Sequence, residues 1–216
     1  MFRLFLRVAA AFAALVGLVL LIGCFIPRNY DVEATVLINA PASSVFPKIN
    51  QLNNWETWSP ISESRISSLE ADYSGEIAGV GAIQTWREPR GEGKMWITAS
   101  QPDEQIEYLW RFANWPELKG TFEFVPSDDG SQCEVKWRSV GKLPGGPFYG
   151  YFGVLLDSLL TNEYQNCLER LKDELEASAN RTSDNGGVDS NDNADRDGDN
   201  SGSHSETSNS GESAGN

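Results

Sequence analysis

The chain has 216 residues with 10 Phe, 6 Tyr and 7 Trp, enough aromatic bulk to fill the core of one ordinary domain, which excludes a fibrous or disordered chain over most of its length. Its 17 basic and 31 acidic side chains give a formal charge of -14, which repels phosphate backbones and excludes nucleic acid as a partner. The single histidine, His204, lies in a Ser/Asn/Gly-rich tail, so Ser-His-Asp triads, Cys-His pairs and histidine-bound zinc are excluded from the folded part.

Residues 1–28 form the first region. Val8 to Ile26 is an uncharged apolar run of 19 residues, about 28 Å long as a helix, which matches one hydrocarbon core. Arg3 and Arg7 precede it, and beyond it Arg28 is soon followed by Asp31 and Glu33, so the positive-inside rule puts the N-terminus in the cytoplasm and the remainder in the periplasm or outside the cell. An uncleaved single-pass anchor is expected. Two alternatives stay open: a cleaved secretory signal, and a lipoprotein signal, because Leu21-Ile22-Gly23-Cys24 resembles a lipobox with Cys24 as the acylated residue.

The second region, residues 29–178, is itself acidic: 29–177 hold 23 acidic and 12 basic side chains. Tyr30 to Ile38 alternates as a strand, Ala40-Pro41 leads into a short helix around Val45 and Phe46, and a second short turn carries Trp55 and Trp58. Six strand-like segments follow: Leu69–Ser74, Ala82–Arg87, Lys94–Ser100, Gln105–Ala113, Leu118–Val125 and Gln132–Val140. Gly, Pro and Asp signals join them, among them the turn Ser127-Asp128-Asp129-Gly130. The last three have an oily face (Ile106, Tyr108, Trp110, Phe112; Phe122, Phe124; Cys133, Val135, Trp137) and a wet one (Glu107, Arg111, Glu123, Glu134, Lys136, Arg138).

After Pro144-Gly145-Gly146-Pro147, a helical pattern runs to about Ala177, with Phe152, Leu155, Leu156, Leu159, Leu160, Tyr164, Cys167, Leu168, Leu171 and Leu175 on one stripe. Such a helix must cover the oily face of the sheet, giving an α+β fold. The third region, 179–216, is rich in Ser, Asn, Gly and Asp and is expected to be a disordered acidic tail. Within it Asn193, Asp195, Asp197, Gly198 and Asp199 imitate the start of a calcium loop, but His204 stands where the bidentate Glu belongs, so the tail reads as solvated low-complexity chain.

Val36-Leu37-Ile38-Asn39-Ala40-Pro41 followed by Val45-Phe46, Trp55 with Trp58-Ser59-Pro60, Gly79-Val80-Gly81 with Trp86, and Leu143-Pro144 before a helix closing in Leu168-Glu169-Arg170-Leu171-Lys172 resemble the START-like (SRPBCC) superfamily. Within it the chain is similar to the polyketide cyclase/dehydrase and lipid-transport-like proteins, over about residues 30–178. The resemblance implies a helix-grip fold, in which a curved antiparallel sheet wraps the long C-terminal helix around a cavity for lipids, sterols, polyketides or other apolar molecules. The cavity wall is then assigned to Trp86, Trp96, Tyr108, Trp110, Phe112, Phe122, Phe124, Val135, Trp137, Phe152 and Leu156. The same rings can instead fill a solid core.

The expected function is membrane-tethered binding of a small hydrophobic molecule or lipid by a monomer. The alternatives are a polyketide cyclase/dehydratase-like enzyme using the same cavity and a protein-interaction module with a filled core. No catalytic residue is assigned, and no metal or cofactor is expected. Glu107 and Glu123 fall on the wet face, and Tyr108, which could polarise a carbonyl, reads first as a core residue. Cys133 and Cys167 both fall on core-facing positions and are expected as buried thiols. Arg87, Arg90, Lys94 and Lys142 lie near loops and read as surface charge; Trp55 and Trp58 either gate an opening or staple the small helices to the sheet.

Overall fold

The computed structural model describes residues 2–60, 70–89 and 91–185, except the side chains at 152, 154–156, 180 and 182–185. Helix α1 (Phe2–Phe25) leads through Pro27 into strand β1 (Asn29–Ile38), helix α2 (Ala42–Asn50) and a 3-10 turn (Leu52–Glu56). A meander follows: β2 (Glu70–Gly75), β3 (Ala82–Glu88), β4 (Gly91–Gln101), β5 (Gln105–Phe112), β6 (Leu118–Pro126) and β7 (Cys133–Lys142). Helix α3 (Pro147–Asn185) closes the fold.

All seven strands form one antiparallel sheet in the order β1-β7-β6-β5-β4-β3-β2, an α+β helix-grip arrangement as expected. In β1 the alternation is complete: Tyr30, Val32, Ala34, Val36 and Ile38 are buried, while Asp31 and Glu33 stay outside. Outside, Arg138 of β7 forks onto the Asp31 carboxylate at 2.5 and 2.7 Å, and this hydrogen-bonded ion pair holds the Asp31 carboxyl below its usual range.

Helix α3 lays Tyr164, Cys167, Leu168, Leu171 and Leu175 against the sheet, a stripe at helical spacing. Its rear half is also tied by polar contacts. The Arg170 guanidinium donates to the Trp58 carbonyl, Lys48 and Thr57 donate to Glu174 at 2.6 Å, and Asn39 donates to Glu176. Burial works against ionisation of Glu174, but Lys48 and Thr57 outweigh it and hold its carboxyl below the usual range.

Two boundaries differ from expectation by three residues or more. Strand β4 begins at Gly91, three residues before the expected Lys94, because Glu92 and Gly93 pair with Arg87 and Trp86 of β3. Helix α3 continues past Ala177 to Asn185, where Ser178 and Arg181 bond back to the carbonyls of Glu174 and Ala177. Residues 186–216, including the calcium-loop imitation, lie outside the described residues. Cys133 and Cys167 are both buried thiols, not joined in a disulfide.

The interior divides into two halves along the strands. At the end away from α1, Phe46 meets Phe124 edge-on with ring centroids 5.5 Å apart, and Ile38, Val45, Ile49, Ile106, Phe122 and Leu171 are wholly enclosed. This half is filled. Trp55 and Trp58 pack 4.8 Å apart over Phe122 and Trp137, so they staple the 3-10 turn to the sheet. The half nearer α1 is different.

Candidate functional site

Three aromatic side chains near the α1 end of the sheet lie opposite glycines. Trp86 pairs with Gly93, Tyr108 with Gly120, and Tyr30 with Gly141. A Cβ built on any of these glycines would collide with the facing ring. A ring can therefore lie down across the strand instead of standing upright into the interior. Where larger residues would force the rings inward, the glycines leave space.

That space is a cavity of about 320 Å3, within the range of small-molecule sites. It is lined by Tyr30 from β1, Trp55, Ser59 and Pro60 from the turn region, Met95 from β4, Tyr108 and Trp110 from β5, Trp115 from the β5–β6 connection, Leu118 from β6, Trp137 from β7, and Leu160 and Tyr164 from α3. Apolar atoms dominate the wall.

A polar cluster sits in this wall. The Trp137 indole N–H donates to the Tyr108 hydroxyl at 2.8 Å, the Tyr164 hydroxyl donates to Ser139 Oγ at 3.1 Å, and the Tyr108 and Ser139 hydroxyls lie 3.4 Å apart. Ser139 is fully buried, and the Tyr164 ring stacks on Trp137 with centroids 3.8 Å apart. The Trp137 N–H and the Tyr108, Tyr164 and Ser139 hydroxyls thus form one network, in which each hydroxyl can both donate and accept. Another buried donor, the Trp110 indole N–H, has no partner among the described residues.

Burial keeps these phenols neutral. It pushes Tyr164 up to about 12, and it raises Tyr108 and Tyr30 well above the usual phenol range, with Tyr164 adding to both. Near neutral pH they donate hydrogen bonds and hold their protons. The chemistry of the lining is that of recognition of an acceptor oxygen on an apolar body.

Among the residues expected in the wall, Tyr108, Trp110 and Trp137 line the cavity. Phe122, Phe124 and Val135 belong to the filled half, and Phe112 stacks behind Trp110 at 6.1 Å. Trp86 is buried and stacks on the other side of Trp110 at 6.0 Å. Trp96 is a correction: Met95 and Ile97 are the buried positions of β4, so parity turns Trp96 to the outer face, where Lys94 sits over its ring at 5.2 Å. The side chains of Phe152 and Leu156 lie outside the described residues.

Sequence reasoning missed Tyr164 and Ser139 as partners of Tyr108 and Trp137, together with Tyr30, Met95, Trp115, Leu118 and Leu160 as lining. The signal available was the strand glycines, each opposite an aromatic once register is known. A larger hollow of about 590 Å3 lies at the sheet edge among Glu70, Asp72, Arg87, Glu92, Lys94 and Arg111. Its charges oppose one another, with Arg87 on Glu92 at 3.0 Å, so it is ordinary wet surface. Arg87 and Lys94 belong there and not to the apolar wall, Lys142 ends β7, and Arg90 lies outside the described residues.

Residues 30–176 match the family described as polyketide cyclase/dehydrase and lipid transport. Among solved structures, a protein of unknown function from Staphylococcus aureus aligns with a TM-score of 0.54 and 11% identity, covering 71% of this chain and 98% of its own. A protein from Thermus thermophilus aligns with a TM-score of 0.52 and 16% identity, covering 68% of this chain and 98% of its own. At such identities the likeness is one of fold. No curated protein matches the chain.

Proposed function

Because the chain belongs to the polyketide cyclase/dehydrase and lipid transport family, we propose that it binds a small apolar molecule or lipid-like compound in the cavity between β1, β4, β5, β7 and α3. The observation that carries this reading is the pairing of an apolar hollow with a few convergent hydroxyl and indole groups in its wall. The guest is then an oily body bearing an acceptor oxygen, such as a carbonyl, ester or carboxylate. The unpartnered Trp110 N–H in the wall is a donor for that oxygen.

Helix α1 is 24 residues long and apolar enough to cross a membrane. We read it as an uncleaved anchor with its N-terminus in the cytoplasm and the domain on the far side, and its packing supports retention. Gly23 abuts the Pro147 backbone of α3, Gly150 abuts the Gly23 carbonyl, and the Tyr151 hydroxyl donates to the Val19 carbonyl at 2.6 Å. Cleavage or acylation at Cys24 would remove Val19 and Gly23 from the chain and abolish these contacts.

The test is direct. The full chain, purified from membranes in detergent, is extracted with organic solvent and the extract examined by mass spectrometry, and the stripped protein is titrated with cis-parinaric acid. Expected are a co-purifying oxygen-bearing apolar compound and saturable parinaric acid fluorescence sensitised by the cavity indoles. Protein that neither retains nor takes up any apolar compound overturns the reading. A cyclase using Tyr108 as proton donor would reveal itself by turnover of an extracted compound that is lost in Tyr108→Phe.

A further inference from the structure

The antiparallel register gathers one set of chain ends beside α1. The start of β1, the end of β7, the start of β6 and the end of β5 lie at one end of the sheet, joined to α1 through Pro27 and Arg28. The cavity lies towards this end: Tyr30, Trp115, Leu118 and Leu160 are in its wall. Trp115, on the β5–β6 connection, meets Tyr149 of α3 edge-on at 6.4 Å.

The first turns of α3 have an unusual sequence for a helix beside water. Pro147 to Leu156 contains no charged residue, and the apolar positions run round the whole helix instead of forming one stripe. Phe148 is 72% exposed and Leu159 53% exposed, although both are large and apolar. The Tyr151 hydroxyl reaches the Val19 carbonyl, six residues before the end of α1 and therefore roughly 9 Å back along its axis. If α1 crosses the hydrocarbon, Tyr151 reaches into it as well.

Charge points the same way. The turns at the far end carry Glu76, Asp103, Glu104, Asp128 and Asp129 and no basic side chain, whereas at the α1 end charges of both signs mix, Arg28 and Lys142 with Glu88 and Glu117. An anionic bilayer repels the first end and tolerates the second.

Resting on the anchored, ligand-binding reading above, we infer that the α1 end of the cup sits in the interface of the membrane that α1 spans. The front of α3 and Trp115 lie at headgroup depth, so the cavity exchanges its guest directly with the outer leaflet. Tyr149 and Trp115 are then the portal residues, with indole and phenol at the depth that such side chains favour. The occupant of the exposed Phe148 and Leu159 face is a phospholipid leaflet.

Two measurements on the full chain in phosphatidylcholine/phosphatidylglycerol vesicles test this. In a Cys24→Ser background, spin labels at Phe148→Cys and, as a far-end control, Asp128→Cys are compared for accessibility to oxygen and to a water-soluble nickel chelate, with the parent background subtracted. The inference expects Phe148→Cys to favour oxygen and Asp128→Cys to favour nickel; equal nickel accessibility at the two sites overturns it. Uptake of cis-parinaric acid is then timed from loaded vesicles and from free solution for the parent and for Phe148→Glu, a substitution outside the cavity wall. A tenfold slowing from vesicles with less than a twofold change from solution supports the portal, and equal changes by both routes, or none, overturn it. If the parent takes up no parinaric acid by either route, the ligand-binding reading is what fails, and the spin-label depth still decides where the domain sits.

Discussion

Gly120 lies directly opposite Tyr108 across β6 and β5, and the phenol ring covers the place where any larger residue would carry its Cβ. Gly120→Ala is therefore expected to lift the ring off the sheet and into the cavity. Overpacking of this kind costs about 1–3 kcal/mol, read as a lower urea midpoint. Parinaric acid affinity should fall in parallel, because the displaced ring fills the guest's space.

Tyr108→Phe keeps the ring and deletes the hydroxyl that joins Trp137 to Ser139. The buried Trp137 N–H is left without its acceptor, which costs about 1–3 kcal/mol of stability. Binding should separate by ligand chemistry: an oxygen-bearing guest loses about tenfold in affinity, on the order of 1.4 kcal/mol, while a hydrocarbon of the same shape is nearly unaffected. Isothermal titration of both ligands distinguishes this from a general collapse of the site.

Alkali should destabilise the fold by a route that runs through the phenols. Tyr164 keeps its proton to about pH 12 when folded and ionises near 10 when unfolded, so between these values the folded chain holds more protons than the unfolded one. Stability is complete below pH 10 and falls as pH rises towards 12. Absorbance of phenolate at 295 nm, followed with circular dichroism, should show late ionisation coinciding with loss of structure; in Tyr164→Phe that part of the slope disappears.

Phe122 and Trp96 provide a contrast between inside and outside. Phe122 is wholly enclosed and stacks on Trp137 at 4.9 Å, so Phe122→Ala is expected to cost about 3–5 kcal/mol. Trp96 rests on the outer face beneath Lys94, and Trp96→Ala should cost less than about 1 kcal/mol. Thermal or urea unfolding of the two variants checks the face assigned to each.

The contrast also marks what could be read from the chain. The alternation in Tyr30–Ile38 and in β5 to β7 placed the core face correctly, because period two survives errors of a residue at strand ends. Trp96 failed because β4 is entered at Gly91 and its inward parity is set by Gly93, Met95 and Ile97, a choice that apolar content alone does not make in Lys94-Met95-Trp96-Ile97. The Ser139 cluster was illegible for another reason. Tyr108, Ser139 and Tyr164 come from two strands and a helix, and only register and helix placement bring their hydroxyls together. The aromatic–glycine pairs were in plain view as letters, yet a glycine inside a strand identifies a close approach without naming its neighbour.

Arg170, Glu174 and Glu176 fasten the rear of α3 to the chain between Asn39 and Trp58, while from Pro147 to Leu160 no side-chain hydrogen bond links the helix to the sheet among the described residues. The front of the helix can consequently lean outward about its fastened rear without breaking an ion pair, at the expense of dispersion contacts with the sheet, provided that α1, joined to it by Tyr151 and Val19, moves along. On the proposed ligand-binding reading, compounds of differing girth can then be housed by one chain, and selectivity falls to the position of their oxygen more than to their outline.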